Sequence, residues 1–157
     1  MFRKMRRFKQ QISEEECIKI LKESKRGVLS VIGDDGYPYG VPINQWYNEE
    51  NGKLYFHGAK EGHKIDAIKA CDKASFCTYD EGYRKEGEWA LNINSVIVFG
   101  RIKPIEDQEL MKKALKDLTA KFTDDIEYFE KEMSSFSRVM ILELTPEHMT
   151  GKLVNES

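Results

Sequence analysis

Apolar residues recur along this chain with two different periods, and the change from one to the other marks its elements. Cys17, Ile20 and Leu21 keep to one helical face behind Ser13-Glu14-Glu15-Glu16, where Ser13 and Glu16 have the spacing of a capping box and Gly27 offers a stop. Val28–Ile32 then reads as a strand, Gly33-Asp34-Asp35-Gly36 as a turn and Tyr39–Tyr47 as a longer returning strand. Pro42 lies inside that second run. Proline donates nothing to a ladder, so the run belongs at a sheet edge or bulge, or beside a ligand. Asn51-Gly52 turns the chain into a third strand, Lys53–His57, and tight turns between consecutive strands favour an antiparallel meander over a βαβ unit.

His63–Ala70 has the Ile65, Ile68 spacing of a short helix, followed by strands over Ala74–Tyr79 and Ser95–Lys103 with a polar loop holding Trp89 between them. Ser95-Val96-Ile97-Val98-Phe99 is almost wholly apolar and β-branched, which predicts a place deep in a barrel or in a subunit contact. Beyond Glu106 and Asp107, the stripe Leu110, Met111, Ala114, Leu115, Leu118 and Phe122 predicts an amphipathic helix. Asp124–Phe136 is compatible with a short helical turn, and Arg138–Leu144 forms a last strand before a tail with Pro146 and Thr150-Gly151-Lys152. About six strands and two to four helices, with little crossover helix, predict a mainly β fold: a small antiparallel barrel with helices outside it.

Composition narrows this further. A chain of 157 residues, 40% hydrophobic and 33% charged, suits one domain with one core and a solvated surface. A net charge of -2 gives nucleic acid no general reason to bind, so an anion site has to be local. Cys17, Cys71 and Cys77 are odd in number and lack CxxC spacing, which points to buried structural thiols in a reducing, cytoplasmic setting. The basic start, Met1 to Lys9, is followed by Gln10, Gln11 and Ser13 where an export signal needs apolar residues, so residues 1–12 are expected to be a solvated basic arm and 13–157 the single domain. No stretch approaches the roughly 20 apolar residues of a membrane-spanning helix, and no membrane partner is expected.

The segment with the most chemistry is Phe56-His57-Gly58-Ala59-Lys60-Glu61-Gly62-His63-Lys64, a strand entering a glycine-containing loop and then a helix start. Free amides at a helix N-terminus, with Lys64 and His63 as side-chain donors and Gly58 and Gly62 allowing close approach, suit a phosphate. A polar surface turn closed by Gly62 fits the same spacing, and neither nucleotide-binding glycine fingerprint is present. His57, His63, Cys71 and Cys77 match no zinc pattern, so no metal site is expected. Ser30, Ser75 and Ser95 occupy strand patterns instead of a nucleophile elbow, and Cys77 has no base beside it in sequence.

Taken in order, Gly27-Val28-Leu29-Ser30, Tyr39-Gly40-Val41-Pro42-Ile43-Asn44, Leu54-Tyr55-Phe56-His57-Gly58-Ala59 with Gly62-His63-Lys64, Ser95-Val96-Ile97-Val98-Phe99-Gly100-Arg101 and Thr150-Gly151-Lys152 resemble the pyridoxamine 5'-phosphate oxidase-like superfamily, and within it the nitroimidazole-resistance branch. The resemblance runs from about Arg7 to Lys152. It implies a six-stranded split β-barrel, a homodimer, and flavin mononucleotide (FMN) at the subunit interface. By the same resemblance Val41, Pro42, Ile43 and Asn44 run along the isoalloxazine ring, and His57, Gly58 and Ala59 line the ribityl side. His63 and Lys64 hold the phosphate, Ser95 and Val96 approach the cofactor, and Trp89 either covers the ring or is an ordinary core or interface aromatic. His57 is the catalytic candidate, with a histidine merely hydrogen-bonded to cofactor or backbone as the alternative. True pyridoxamine 5'-phosphate oxidases carry a C-terminal Trp and Arg-rich substrate segment; here Arg138 is the last arginine and Trp89 the last tryptophan, which disfavours vitamin B6 oxidation. The implied activity is reduction of small, electron-poor acceptors such as nitroaromatics or nitroimidazoles, with a flavin carrier or sensor that does not turn over as the alternative.

Overall fold

Ser13 caps the first helix as its spacing predicts: its Oγ accepts from the Glu16 amide at 3.1 Å, while the Glu16 carboxylate accepts from the Ser13 amide at 3.0 Å. The computed structural model describes residues 1–156. Helix α1 (Glu14–Glu23) ends at Ser24, ahead of Gly27, which instead opens strand β1 (Gly27–Ile32). What Gly27 provides is room, because a Cβ there would strike the Cys77 carbonyl and lie 2.6 Å from the Phe76 ring.

Six further strands follow: β2 (Pro38–Ile43), β3 (Trp46–Asn48), β4 (Lys53–Ala59), β5 (Lys73–Tyr79), β6 (Leu91–Pro104) and β7 (Val139–Glu156). Helix α2 (His63–Ala70) joins β4 to β5, and helices α3 (Gln108–Ala120) and α4 (Ile126–Ser134) fill the connection from β6 to β7. All pairings are antiparallel, in the order β2-β1-β5-β6-β7-β4-β3, seven strands where about six were expected. The extra strand arises because Tyr39–Tyr47 is not one run. It breaks at Asn44-Gln45, and its halves lie at opposite edges of the sheet, with Pro42 on an edge strand as its missing N–H requires.

That break decides the architecture. A flat sheet of seven strands at about 4.8 Å spacing would hold its edges about 29 Å apart, whereas the three steps from Ile43 to Trp46 reach about 11 Å at most. The sheet therefore curls until β2 faces β3, and with no ladder between them it is a split barrel. Gln45 fixes the crossing: its fully buried side chain donates to the Leu21 carbonyl at 3.1 Å and to the Ser24 carbonyl at 2.7 Å, satisfying the end of α1. Lys121, at the end of α3, adds 2.7 Å bonds to the carbonyls of Ser24 and Gln45.

The barrel is filled by Leu21, Leu29, Val31, Leu54, Phe56, Ile65, Phe76, Val96, Val98, Ile102, Leu142 and Leu144. A smaller cluster of Tyr55, Met111, Ala114 and Ile141 lies between the sheet and α3, whose Met111, Ala114, Leu115 and Leu118 are buried as the stripe predicts. Phe122 falls beyond the helix and is 41% exposed. The ambiguous stretch before β7 resolves into α4 and a short 3-10 turn, Phe136–Arg138. β7 does not stop at Leu144; it continues past Pro146 to Glu156, with a register shift at Phe99/Gly100 opposite Pro146 that absorbs the proline.

Two further segments differ in detail from what the sequence suggests. The Ser95–Phe99 run is divided between two faces: Val96 and Val98 are fully buried in the barrel while Ile97 and Phe99 are 38% and 39% exposed, the alternation of a strand with one face outward, so the barrel interior accounts for only half of this apolar run. The basic arm is not a free extension. Gln11 bridges to Lys152, the Ile12 amide donates to the Gly151 carbonyl at 3.0 Å, and Phe2 stacks on His148 with centroids 4.9 Å apart. Apolar Phe2 and Ile12, invisible to a charge count, tie the arm down. Among the described residues no helix is long and apolar enough to cross a membrane.

Candidate functional site

The segment singled out by sequence forms the C-terminal end of β4, a loop and the start of α2. Gly62 is the N-cap of α2 at φ 132°, a conformation that favours glycine, and no side chain caps the helix. The first amides of α2 therefore have no intrahelical acceptor. Lys64 folds back over the strand, its Nζ 3.0 Å from where a Cβ on Gly58 would stand. Burial lowers the Lys64 pKa from its ordinary 10.5, and no carboxylate offsets this. A half-buried ammonium held without a counter-charge beside uncapped amides is a surplus of positive potential in one place.

His63 is anchored on the β1–β2 turn. Its ring stacks on Tyr39 at 4.1 Å, and its Nε2 lies 3.4 Å from the Asp34 amide and 3.7 Å from the Asp34 carboxylate. These partners, Tyr39 and Asp34, were not legible in sequence, because they lie in the preceding hairpin and meet His63 only when the barrel closes. The same contact brings the start of β2 to the start of α2.

His57 and Lys64 lie on opposite faces of β4. Phe56 and Gly58 have the parity of the barrel interior, and Met140, the ladder partner of Gly58, packs on the main core. His57 follows Tyr55 toward the helices, paired with Ile141 of the smaller cluster. Its Nδ1 is buried without a hydrogen-bond partner. Burial lowers the His57 pKa below its ordinary 6.5; the Lys64 charge pushes the same way and Glu132 opposes, so the imidazole is neutral at pH 7. Ala59 ends β4 in the open.

Along β2 the side chains alternate. Val41 and Ile43 pack against the core, while Pro42 faces outward with Gly40. Pro42 walls a groove of about 720 Å³ together with Arg26, Val28 and Tyr79. Asn44 is half-buried in the crossing between the barrel edges. Tyr39 and Pro42 are three residues apart, roughly 10 Å along a strand, and by strand parity they point to opposite faces of β2. Ser95 lies farther along the sheet, opposite Tyr79 and Lys152, and Val96 is fully buried in the core, leaving only its backbone to approach a ligand. Trp89 is 78% exposed in the loop before β6. The single chain thus joins His63, Lys64 and Gly58 at one place, with Pro42 on the outward face of β2 and Ser95 and Val96 farther along the sheet. Among the described residues no three His, Cys, Asp or Glu side chains converge to hold a metal.

A phosphate-bearing group fits the residues present: an unpartnered ammonium, open amides, and Gly62 with nothing within 4 Å of a Cβ built on it. The strand order and its closure define a mainly β, antiparallel split barrel with helices outside it. The chain belongs to the pyridoxamine 5'-phosphate oxidase family, whose model matches residues 13–153. It is similar to the structure of a putative 5-nitroimidazole antibiotic resistance protein from Bacteroides thetaiotaomicron, at 21% identity over 93% of this chain and 87% of that one, with a TM-score of 0.79. An FAD-binding protein from Mesorhizobium loti is 22% identical over 92% of this chain and 97% of its own, with a TM-score of 0.67. An FAD-binding protein from Mycobacterium smegmatis is 17% identical over 94% and 99%, with a TM-score of 0.65. At these identities the likeness is one of fold. No curated protein matches the sequence.

Proposed function

We propose that this protein binds FMN between two copies of itself and delivers electrons to small, electron-poor acceptors such as nitroaromatics or nitroimidazoles. The observation that carries the reading is the uncompensated ammonium of Lys64 beside the uncapped start of α2, a site that gains a counter-charge when a phosphate arrives. In this reading Lys64, His63 and the first amides of α2 hold the phosphate, Gly58 and Ala59 leave room for the ribityl chain, and the Pro42 strand borders the ring. A bound flavin supplies two-electron chemistry that no side chain here provides. The chain's own part is to bind and orient it: Asp34 and Tyr39 fix the His63 ring, and the outward Pro42 keeps the ring-bordering edge free of strand partners.

The second copy is supported by the outward face of the sheet, where Val28, Cys77 and Ile97 form one row and Phe99 the next, apolar and only partly covered by the arm. Ser95 stands on that face, so a partner brings it toward the cofactor where one chain leaves it apart. The visible absorbance of freshly purified protein tests the flavin, and reduction assays with nitro acceptors test turnover. Colourless protein that takes up no FMN refutes the reading; flavin held without turnover with any donor and acceptor reduces it to a carrier. Sedimentation showing flavin-loaded monomers at low micromolar concentration refutes the shared site.

A further inference from the structure

The N-terminal arm and helix α4 carry opposite charges that nothing in their own chain answers. Arg3, Lys4, Arg6, Arg7 and Lys9 are exposed, and residues 1–12 hold no carboxylate. Asp124, Asp125, Glu127 and Glu130 are exposed just before α4 and along it. Among the described residues none of these groups joins an ion pair. Apolar side chains interleave with both sets and are equally unpartnered: Phe8 of the arm is 69% exposed, and Ile126 is 72% exposed on a helix with no buried residue.

Within one chain the two surfaces lie at opposite ends of β7. The arm is pinned to its late half, through Phe2 on His148 and the Ile12 amide on the Gly151 carbonyl. Helix α4 leads into its first residue by way of the turn Phe136–Arg138. The strand from Val139 to His148 spans about 30 Å. A two-fold axis across the strand reverses this order, setting the arm end of one copy beside the α4 end of the other, so both contacts form at once. Phe2 also stacks on Phe99 of the outward apolar face, with centroids 5.6 Å apart. The arm's cations therefore stand at the rim of that face, where charge sets orientation and partner choice. Charge argues against a polyanion as the occupant. The whole chain is -2 although the arm is purely basic, so the remainder is acidic, repelling nucleic acid or an anionic membrane while attracting another copy's arm.

We propose that the basic arm of one copy docks on α4 of a second copy, and the reverse, with Arg6 and Arg7 against the carboxylates from Asp124 to Glu130 and Phe8 against Ile126. The inference rests on the two-copy part of the reading above and not on the flavin. Sedimentation equilibrium of flavin-free protein tests it with two charge-reversed forms. One carries Arg6→Glu and Arg7→Glu, the other Asp124→Lys and Glu130→Lys; Asp125, which caps α4, is kept. Each form alone should dimerise at least about tenfold more weakly than wild type, and the wild-type dimer should weaken as salt is raised. Mixed in equal amounts, the two forms should regain about the wild-type affinity, because both contacts are matched in the heterodimer, and the recovery shows that both forms fold.

Reversed forms that dimerise like wild type overturn the proposal. So does a mixture no tighter than its components, the signature of a contact within one chain. A wild-type chain that stays monomeric also overturns it, and its sedimenting with phosphatidylserine vesicles would assign the arm to a membrane surface. Wild-type dimers that take up no FMN sink the flavin reading alone, whereas unweakened reversed forms that take up FMN sink the arm contact alone.

Discussion

Lys64→Met separates what this lysine does for the fold from what it does for a ligand. The methionine keeps the length of the side chain over Gly58 but removes a half-buried charge that has no partner. An ammonium–phosphate bond is worth about 1.5–3 kcal/mol, so FMN affinity measured by flavin fluorescence should fall by about tenfold to a hundredfold. The ligand-free protein should move the other way and melt at the same temperature or higher, because an uncompensated charge no longer has to be desolvated. The pH dependence has a definite sign. The folded pKa lies below 10.5, so the unfolded chain binds more protons between the two values, and wild-type stability gains a contribution as pH rises through that window. That gain should be absent from Lys64→Met, while Lys69→Ala, exposed at the other end of α2, changes neither quantity. Unaltered FMN affinity in Lys64→Met would falsify the placement of the phosphate at this corner.

Other perturbations test the surroundings. Gly58→Ala places a methyl 3.0 Å from the Lys64 ammonium and, because that end of the lysine is flexible, should shift melting little while weakening FMN severalfold in the same fluorescence titration. Gln45→Leu strips the buried donor from the Leu21 and Ser24 carbonyls and should cost about 1–3 kcal/mol in urea denaturation; a loss below a few tenths would show that the barrel crossing is held elsewhere. Lys121 has its pKa pushed down to about 8 by burial, so the stability difference between wild type and Lys121→Met should shift in favour of wild type as pH rises from about 8 toward 10.5. A flat difference curve would refute that environment. Gly151→Ala puts a methyl 2.5 Å from the Cys17 sulfur and 2.8 Å from Ile12, and overpacking of this kind costs about 1–3 kcal/mol, visible as a lower melting temperature.

Local chemistry wrote much of this protein in its sequence. The capping box at Ser13, the stripe of α3, the edge position of Pro42 and the helix start at His63 were all legible, because each depends on neighbours within a few residues. Tertiary structure alone decided the rest. The division of Tyr39–Tyr47 follows from the closing of the barrel at Gln45, whose partners Leu21 and Ser24 lie more than twenty positions back. The separation of His57 from Lys64 follows from strand parity combined with what covers each face, and the first of these is visible in sequence while the second is not. The docking of Phe2 on His148 joins the two ends of the chain. In each case the sequence determined which side chains were available, and long-range packing chose their partners, because burial rewards any apolar contact and only the closed barrel brings particular ones together.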